Sequence, residues 1–242
     1  MKKPLLITAL MLAVVACFAQ TSESLKPKAQ SFSTELNVNP FNGQVNLNNS
    51  LNQIKLRYFA TQTLALRLGF NVSRKDSVNN VNNPYGINSY FSNNERKSST
   101  VGFNVGVEKH FAGTKRLSPY IGADLSYTDK SSSQTINDNG STTTVANAWY
   151  YTYYSNTTTV TQIQENGYTR YGLNLFTGFD FYIAQHFYFG YEFNFSLSKT
   201  DWKNVTVTTS GQTSNNTNNY GKNSAVTFGP SLINGIRLGY SF

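Results

Sequence analysis

Phe187-Tyr188-Phe189-Gly190-Tyr191-Glu192-Phe193-Asn194-Phe195-Ser196-Leu197 places an aromatic or aliphatic side chain at every odd position and mostly small or polar ones between. A period of two marks a strand with unlike faces, because successive side chains on a pleated chain point to opposite sides. Seven other stretches read the same way. They are Phe32–Val38; Ile54, Leu56 and Tyr58; Leu64, Leu66, Leu68, Phe70 and Val72; Val101, Phe103, Val105 and Val107; Ile121, Ala123, Leu125 and Tyr127; Tyr171, Leu173, Leu175, Phe179 and Phe181; and Leu232, Ile236, Leu238, Tyr240 and Phe242. The 242-residue composition agrees with β-structure: charged residues are 13%, aromatics 14%, and Asn, Ser, Thr and Gly fill the rest. Disordered chains are charged and poor in aromatics, so the composition disfavours disorder.

The connectors alternate in length. Ala60–Thr63, Ala112–Leu117 and Ile183–His186 are tight, whereas Arg74–Ser98, Thr128–Gly167 and Ser198–Asn223 are long, polar and without apolar periodicity. Short turns at one end and long, flexible loops at the other predict an all-β fold: an eight-stranded antiparallel transmembrane up-and-down barrel. An even strand number puts both termini at the short-turn end. Two places strain the pattern. Val45, Leu47 and Leu51 have the opposite parity to Ile54, Leu56 and Tyr58, which either a bulge near Asn52 or a longer first loop accounts for. Pro230 interrupts the last strand, so full pairing is expected only after it. Thr144–Gln162, around Trp149-Tyr150-Tyr151, either extends two strands or adds a hairpin, with ten strands as the alternative.

Residues 1–19 read as a signal peptide: Lys2 and Lys3, then an apolar run from Leu5 to Phe18, with cleavage after Ala19. The run is short for the ~20 residues of a membrane helix. Val14-Val15-Ala16-Cys17 leaves lipidation of Cys17, the only cysteine, as a rival. Residues 20–31 are then a periplasmic tail and 32–242 the barrel.

Alternation alone does not say which face is inside. The polar face carries five acids (Glu35, Glu108, Asp124, Asp180 and Glu192) and five bases (Lys55, Arg57, Arg67, Arg170 and Arg237), while the whole chain carries +8. Balance on this face alone is what an enclosed lumen needs, because an unpaired buried ion costs several kcal/mol. Glycines such as Gly178, Gly190 and Gly239 share that face and make room for Arg and Tyr in a narrow bore. On the apolar face Tyr58, Phe111, Phe179, Phe181, Phe187, Phe189, Tyr240 and Phe242 gather near the short turns. Phe70, Tyr127, Tyr171, Phe195 and Phe228 gather near the long loops. Two aromatic girdles around an aliphatic band match a bilayer.

With Phe18-Ala19-Gln20, Ser118-Pro119-Tyr120-Ile121-Gly122-Ala123 and Leu238-Gly239-Tyr240-Ser241-Phe242, the chain resembles the small OmpX-like and OmpA-barrel-like proteins. In particular it is similar to the porin-family outer-membrane β-barrels of Bacteroidetes. The resemblance implies a bacterial outer-membrane location with both termini periplasmic. It also implies an assembly signal in Leu238, Tyr240 and Phe242 that engages the barrel-assembly machinery.

Catalysis is not expected. Both histidines, His110 and His186, fall at the short-turn end, away from an outer-rim serine. No metal-ligand spacing, phosphate loop or cofactor motif is present. Nucleic acid is not an expected partner, because the bases are half lumenal and otherwise scattered. Lys109, Lys115 and Arg116 read as ordinary periplasm-facing charge. Arg96, Lys97, Lys199 and Lys203 are candidate contacts to lipopolysaccharide phosphates. The expected role is structural or interactive: a monomer in outer-membrane lipid and lipopolysaccharide, its lumen plugged by the charge network. A small diffusion pore is one alternative. The other is adhesion or ligand binding by the loops, with Trp149, Tyr150 and Tyr151 as candidate contacts.

Overall fold

The computed structural model describes residues 24–38, 54–87, 89–155, 158–210, 216–220, 223–232 and 236–242. The signal peptide, Cys17 and the bulge near Asn52 lie outside the described residues. The strands are β1 (Ser31–Val38), β2 (Ile54–Thr61), β3 (Leu64–Asn83), β4 (Tyr90–His110), β5 (Leu117–Asp138), β6 (Ser141–Ala146) and β7 (Trp149–Ser155). They continue with β8 (Thr158–Gln164), β9 (Tyr168–Ala184), β10 (Phe187–Trp202), β11 (Val205–Ser210), β12 (Asn216–Tyr220), β13 (Ser224–Leu232) and β14 (Ile236–Ser241).

Eight of them close a ring. The antiparallel pairing runs β1–β2–β3–β4–β5–β9–β10–β14 and returns to β1 through Leu36↔Leu238 and Thr34↔Tyr240. Closure removes the open edges that a bilayer does not tolerate. The extra strands around Trp149 stay outside the ring, so the ten-strand alternative is not adopted. β6 lies on the far end of β5, β11 on β6 and β12 on β11, while β7 and β8 pair only with each other.

The facing is inside-out. Leu66, Leu68, Val105, Ile121, Leu125, Leu173, Leu175 and Phe193 are exposed on the outer wall, whereas Glu35, Arg57, Glu108, Asp180, Glu192 and Arg237 are buried. An apolar surface this continuous marks contact with lipid. The aromatic girdles form as chains of touching rings. Phe103–Tyr127–Tyr171 runs at the long-loop end, with centroids 5.4 and 5.3 Å apart. Phe32–Tyr58, Phe181–Phe189 and Tyr240–Phe242 lie at the other end, at 4.9, 5.3 and 5.3 Å.

One expectation needs correction and another is met. The segments read as long flexible loops are largely paired: β3 and β4 stay in register as far as Asn83↔Tyr90. Beyond the bilayer both faces of a strand meet water, so polar residues continue the ladder without apolar alternation. Val145, Ala148, Val205 and Val207 form a small apolar core there, packed by Tyr150 and Ile163. Full pairing begins after Pro230, as expected: β13, where Pro230 sits opposite Phe195, has one neighbour among the described residues, whereas β14 pairs with both β10 and β1. β13 pairs only with β10 among the described residues, so the proline's missing N–H can face away from the ladder.

Candidate functional site

Every strand of the ring sends a charge inward. These are Glu35 from β1, Lys55 and Arg57 from β2, Arg67 from β3, Glu108 from β4, Asp124 from β5, Asp180 from β9, Glu192 from β10 and Arg237 from β14. All are at most 8% exposed. Two ion pairs span the bore between strands four places apart in the eight-membered ring: Arg57–Asp180 at 2.7 Å and Arg67–Glu192 at 3.0 Å. Shorter chords complete the mesh. Arg57 meets Glu108 at 3.1 Å and Glu35 at 3.4 Å. Arg67 meets Glu108 at 3.0 Å and Asp124 at 3.7 Å. Arg237 meets Glu35 at 3.0 Å, Asp180 at 3.1 Å and Glu192 at 3.3 Å. Lys55 meets Glu192 at 3.5 Å and Glu35 at 3.7 Å.

Aromatic side chains that parity alone did not single out fill the remaining space. Tyr120 and Tyr188 are fully buried. The Tyr120 hydroxyl donates to Glu192 at 3.0 Å and accepts from Arg237. The Arg67 guanidinium lies 3.9 Å over the Phe176 ring. The lumenal glycines make this possible. A Cβ at Gly239 would meet the Tyr188 ring at 2.0 Å, and one at Gly178 would meet the Tyr120 hydroxyl at 2.6 Å. The side chains are therefore the plug, and the glycines are the space they occupy.

Arg170 does not join the mesh. It is exposed at the long-loop mouth, donating to Thr200 at 2.8 Å and stacking 4.7 Å from the Tyr168 ring. Parity fixes which side of a strand a residue takes but not its depth in the bore. The buried set is thus five carboxylates against four bases. His110 enters in its place, 3% exposed, with Nε2 3.2 Å from Glu108 and Nδ1 2.9 Å from Ser118. The trio resembles an activated serine, yet Glu108 is already engaged by Arg57 and Arg67.

Above the mesh, toward the long loops, lies a polar cavity of about 220 Å³ lined by Asn71, Asn104, Asp124, Asn174 and Ser196. Asp124 accepts from Asn104 at 3.2 Å and from Asn174 at 2.6 Å. The loop contacts come out differently from expectation. The Trp149 indole donates to the Lys97 carbonyl at 2.9 Å, and Tyr150 packs on the small outer core, which leaves Tyr151 as the exposed member at 50%. Lys97, Lys199 and Lys203 each meet a carboxylate, on Glu95, Asp201 and Asp129. Arg96 lies 6.0 Å from the Trp149 ring. Leu238, Tyr240 and Phe242 all face outward on the β14 end. No cluster of three or more metal-ligating side chains occurs among the described residues.

The family model of OmpA-OmpF-like porins matches residues 38–221. No curated protein matches the chain significantly. Three solved structures are similar to it. The N-terminal β-barrel domain of Pseudomonas aeruginosa OprF is 12% identical, covering 89% of this chain and all (100%) of that one, with a TM-score of 0.32. Pseudomonas aeruginosa OprG is 15% identical, covering 91% and 99%, at a TM-score of 0.42. Acinetobacter baumannii CarO is 15% identical, covering 91% and 99%, at 0.29.

Proposed function

The chain belongs to the OmpA-OmpF-like porin family of outer-membrane β-barrels, and on that premise we propose that it is a closed, non-conducting barrel with a structural and surface-interaction role. The observation that carries this reading is the pair of ion bridges across the whole bore, Arg57–Asp180 and Arg67–Glu192. An eight-stranded ring leaves room for little more than its own side chains. A solute passing through would have to break several buried ion pairs at once, and each exposes an uncompensated charge. Wild-type protein in planar bilayers is expected to carry no steady current, and proteoliposomes should not swell in small sugars. A steady ohmic conductance would overturn the plug and favour the small pore.

Both termini and the short turns face the periplasm in this reading, and the paired strand extensions with their small apolar core stand outside the cell. The barrel works as a monomer in phospholipid and lipopolysaccharide. β14 is paired on both sides in the finished ring. Any recognition of Leu238, Tyr240 and Phe242 by the assembly machinery therefore precedes closure against β1, while that edge is open to strand addition.

The role is non-enzymatic. Ser118, the serine beside His110, is 4% exposed and its imidazole partner leans on a neutralised carboxylate. Treatment of the folded protein with a fluorophosphonate probe is expected to leave Ser118 unmodified by mass spectrometry. A stoichiometric adduct at Ser118 would overturn the non-catalytic reading.

A further inference from the structure

We propose that the short-turn rim holds a groove for the phosphate head group of an anionic phospholipid of the inner leaflet. The inference rests on the orientation proposed above. A cavity of about 370 Å³ opens at this rim, lined by Lys26, Lys28, Thr63, Phe111 and Ala112. The segment bringing Lys26 and Lys28 to it is pinned rather than trailing. The Leu25 N–H donates to the Lys115 carbonyl at 3.3 Å, the Gln30 N–H to the Phe59 carbonyl at 2.7 Å, and the Lys26 ammonium to the Ala112 carbonyl.

Lys109 joins from the outer wall. It follows the buried Glu108 and so points outward, on the same face as Phe111. Its ammonium reaches down to the Thr63 hydroxyl at 3.0 Å, and Thr63 lines the cavity. A lysine whose stem lies along the apolar wall and whose charge sits at the rim is the geometry of a snorkelling side chain. Phe111, 47% exposed, borders the cavity on the lipid side. The site therefore offers cations to a head group and an aromatic ring to the chain beneath it.

Among the described residues, ion pairs lie mainly at the long-loop end and in the bore. At the long-loop end Arg74, Lys75, Lys97, Lys130, Lys199 and Lys203 each pair with an Asp or Glu. At the short-turn end the cavity is lined by Lys26 and Lys28, with Lys109 reaching Thr63 on its border and the Lys115 carbonyl holding Leu25. The cavity thus presents lysines with no Asp or Glu among its described lining residues, and the adjacent leaflet supplies phosphate diesters. Burial also holds the Lys26 ammonium below the usual lysine range, a cost that a phosphate beside it would reverse.

The test uses the full chain refolded in zwitterionic detergent. It is titrated with dihexanoyl phosphatidylglycerol and, in parallel, dihexanoyl phosphatidylcholine, following backbone amide shifts at Thr63, Lys109 and Phe111. A lysine near an anionic lipid surface contributes about fivefold in affinity. Phosphatidylglycerol is therefore expected to bind at least about tenfold tighter at low salt. The triple variant Lys28→Gln, Lys109→Gln, Lys115→Gln should reduce that preference below about twofold while keeping the heat-dependent gel shift of a folded barrel. Equal affinity for both lipids, or a preference that survives the triple variant, would overturn the site. So would displacement of phosphatidylglycerol by equimolar inorganic phosphate, which indicates a free-anion site, or tighter binding of lipid A at the same residues. A separate arm reads orientation through Gln185→Cys, in the third short turn, exposed to a membrane-impermeant maleimide on intact cells. No labelling is expected. Labelling would show that the orientation itself fails, whereas no labelling with no lipid preference would sink the groove alone.

Discussion

Arg57→Ala is expected to destabilise the barrel by about 3–5 kcal/mol in folding titrations into lipid vesicles, the range for removing one partner from a buried ion cluster. Arg57 is 1% exposed and touches three carboxylates, on Glu35, Glu108 and Asp180. Its loss leaves five buried acids facing three bases, in a bore closed by the Tyr120 and Tyr188 rings that the guanidinium lies over at 5.2 and 5.7 Å. The repair available is protonation or flooding of the cavity, and either costs much of what the pair contributed. Arg170→Ala is the control: Arg170 is exposed and bonded to a threonine, so its loss should fall within about 1 kcal/mol. A double-mutant cycle with Asp180→Asn should give a coupling of ~1–3 kcal/mol, since the two groups share one network. Equal small losses at Arg57 and Arg170 would mean that the bore is wet and the mesh does not seal it.

Leu175→Arg probes the other face. Leu175 is 55% exposed on β9, opposite Phe195 on β10 and Ala123 on β5. It sits in the aliphatic band between the girdle at Tyr171 and that at Phe181. In a water-soluble barrel a half-exposed leucine tolerates arginine at almost no cost. In a bilayer the guanidinium must be carried into hydrocarbon, and the loss is expected to be about 2–4 kcal/mol near the midplane. Tyr151→Arg, at an equally exposed position beyond the bilayer, should be nearly neutral in the same titration. A neutral Leu175→Arg would reverse the facing and remove the membrane assignment.

Much of this architecture is legible in the chain. Period-two alternation names the eight ring strands, because a strand with one face in lipid and one in a packed lumen must alternate or fail. The rule goes silent where both faces meet water. The polar run Ser73–Asn83 gives no signal, yet it pairs residue by residue with β4 because a ladder once started continues at little cost. The same rule explains the misplaced Arg170. It has the right side and the wrong depth, and depth is set by strand tilt around the whole ring.

Residue order by itself determined the two faces, the girdles and the acidic and basic character of the lumen. Those follow from local patterning, which any short window carries. Only the tertiary structure decided which charges meet. Arg57 and Asp180 are 123 residues apart, and they touch because eight registers add up around a closed ring. The same closure draws His110 into the mesh and lays Lys26 beside Ala112. No alternation encodes these contacts, because a partner across the bore depends on the sum of all strand offsets, not on its own neighbours.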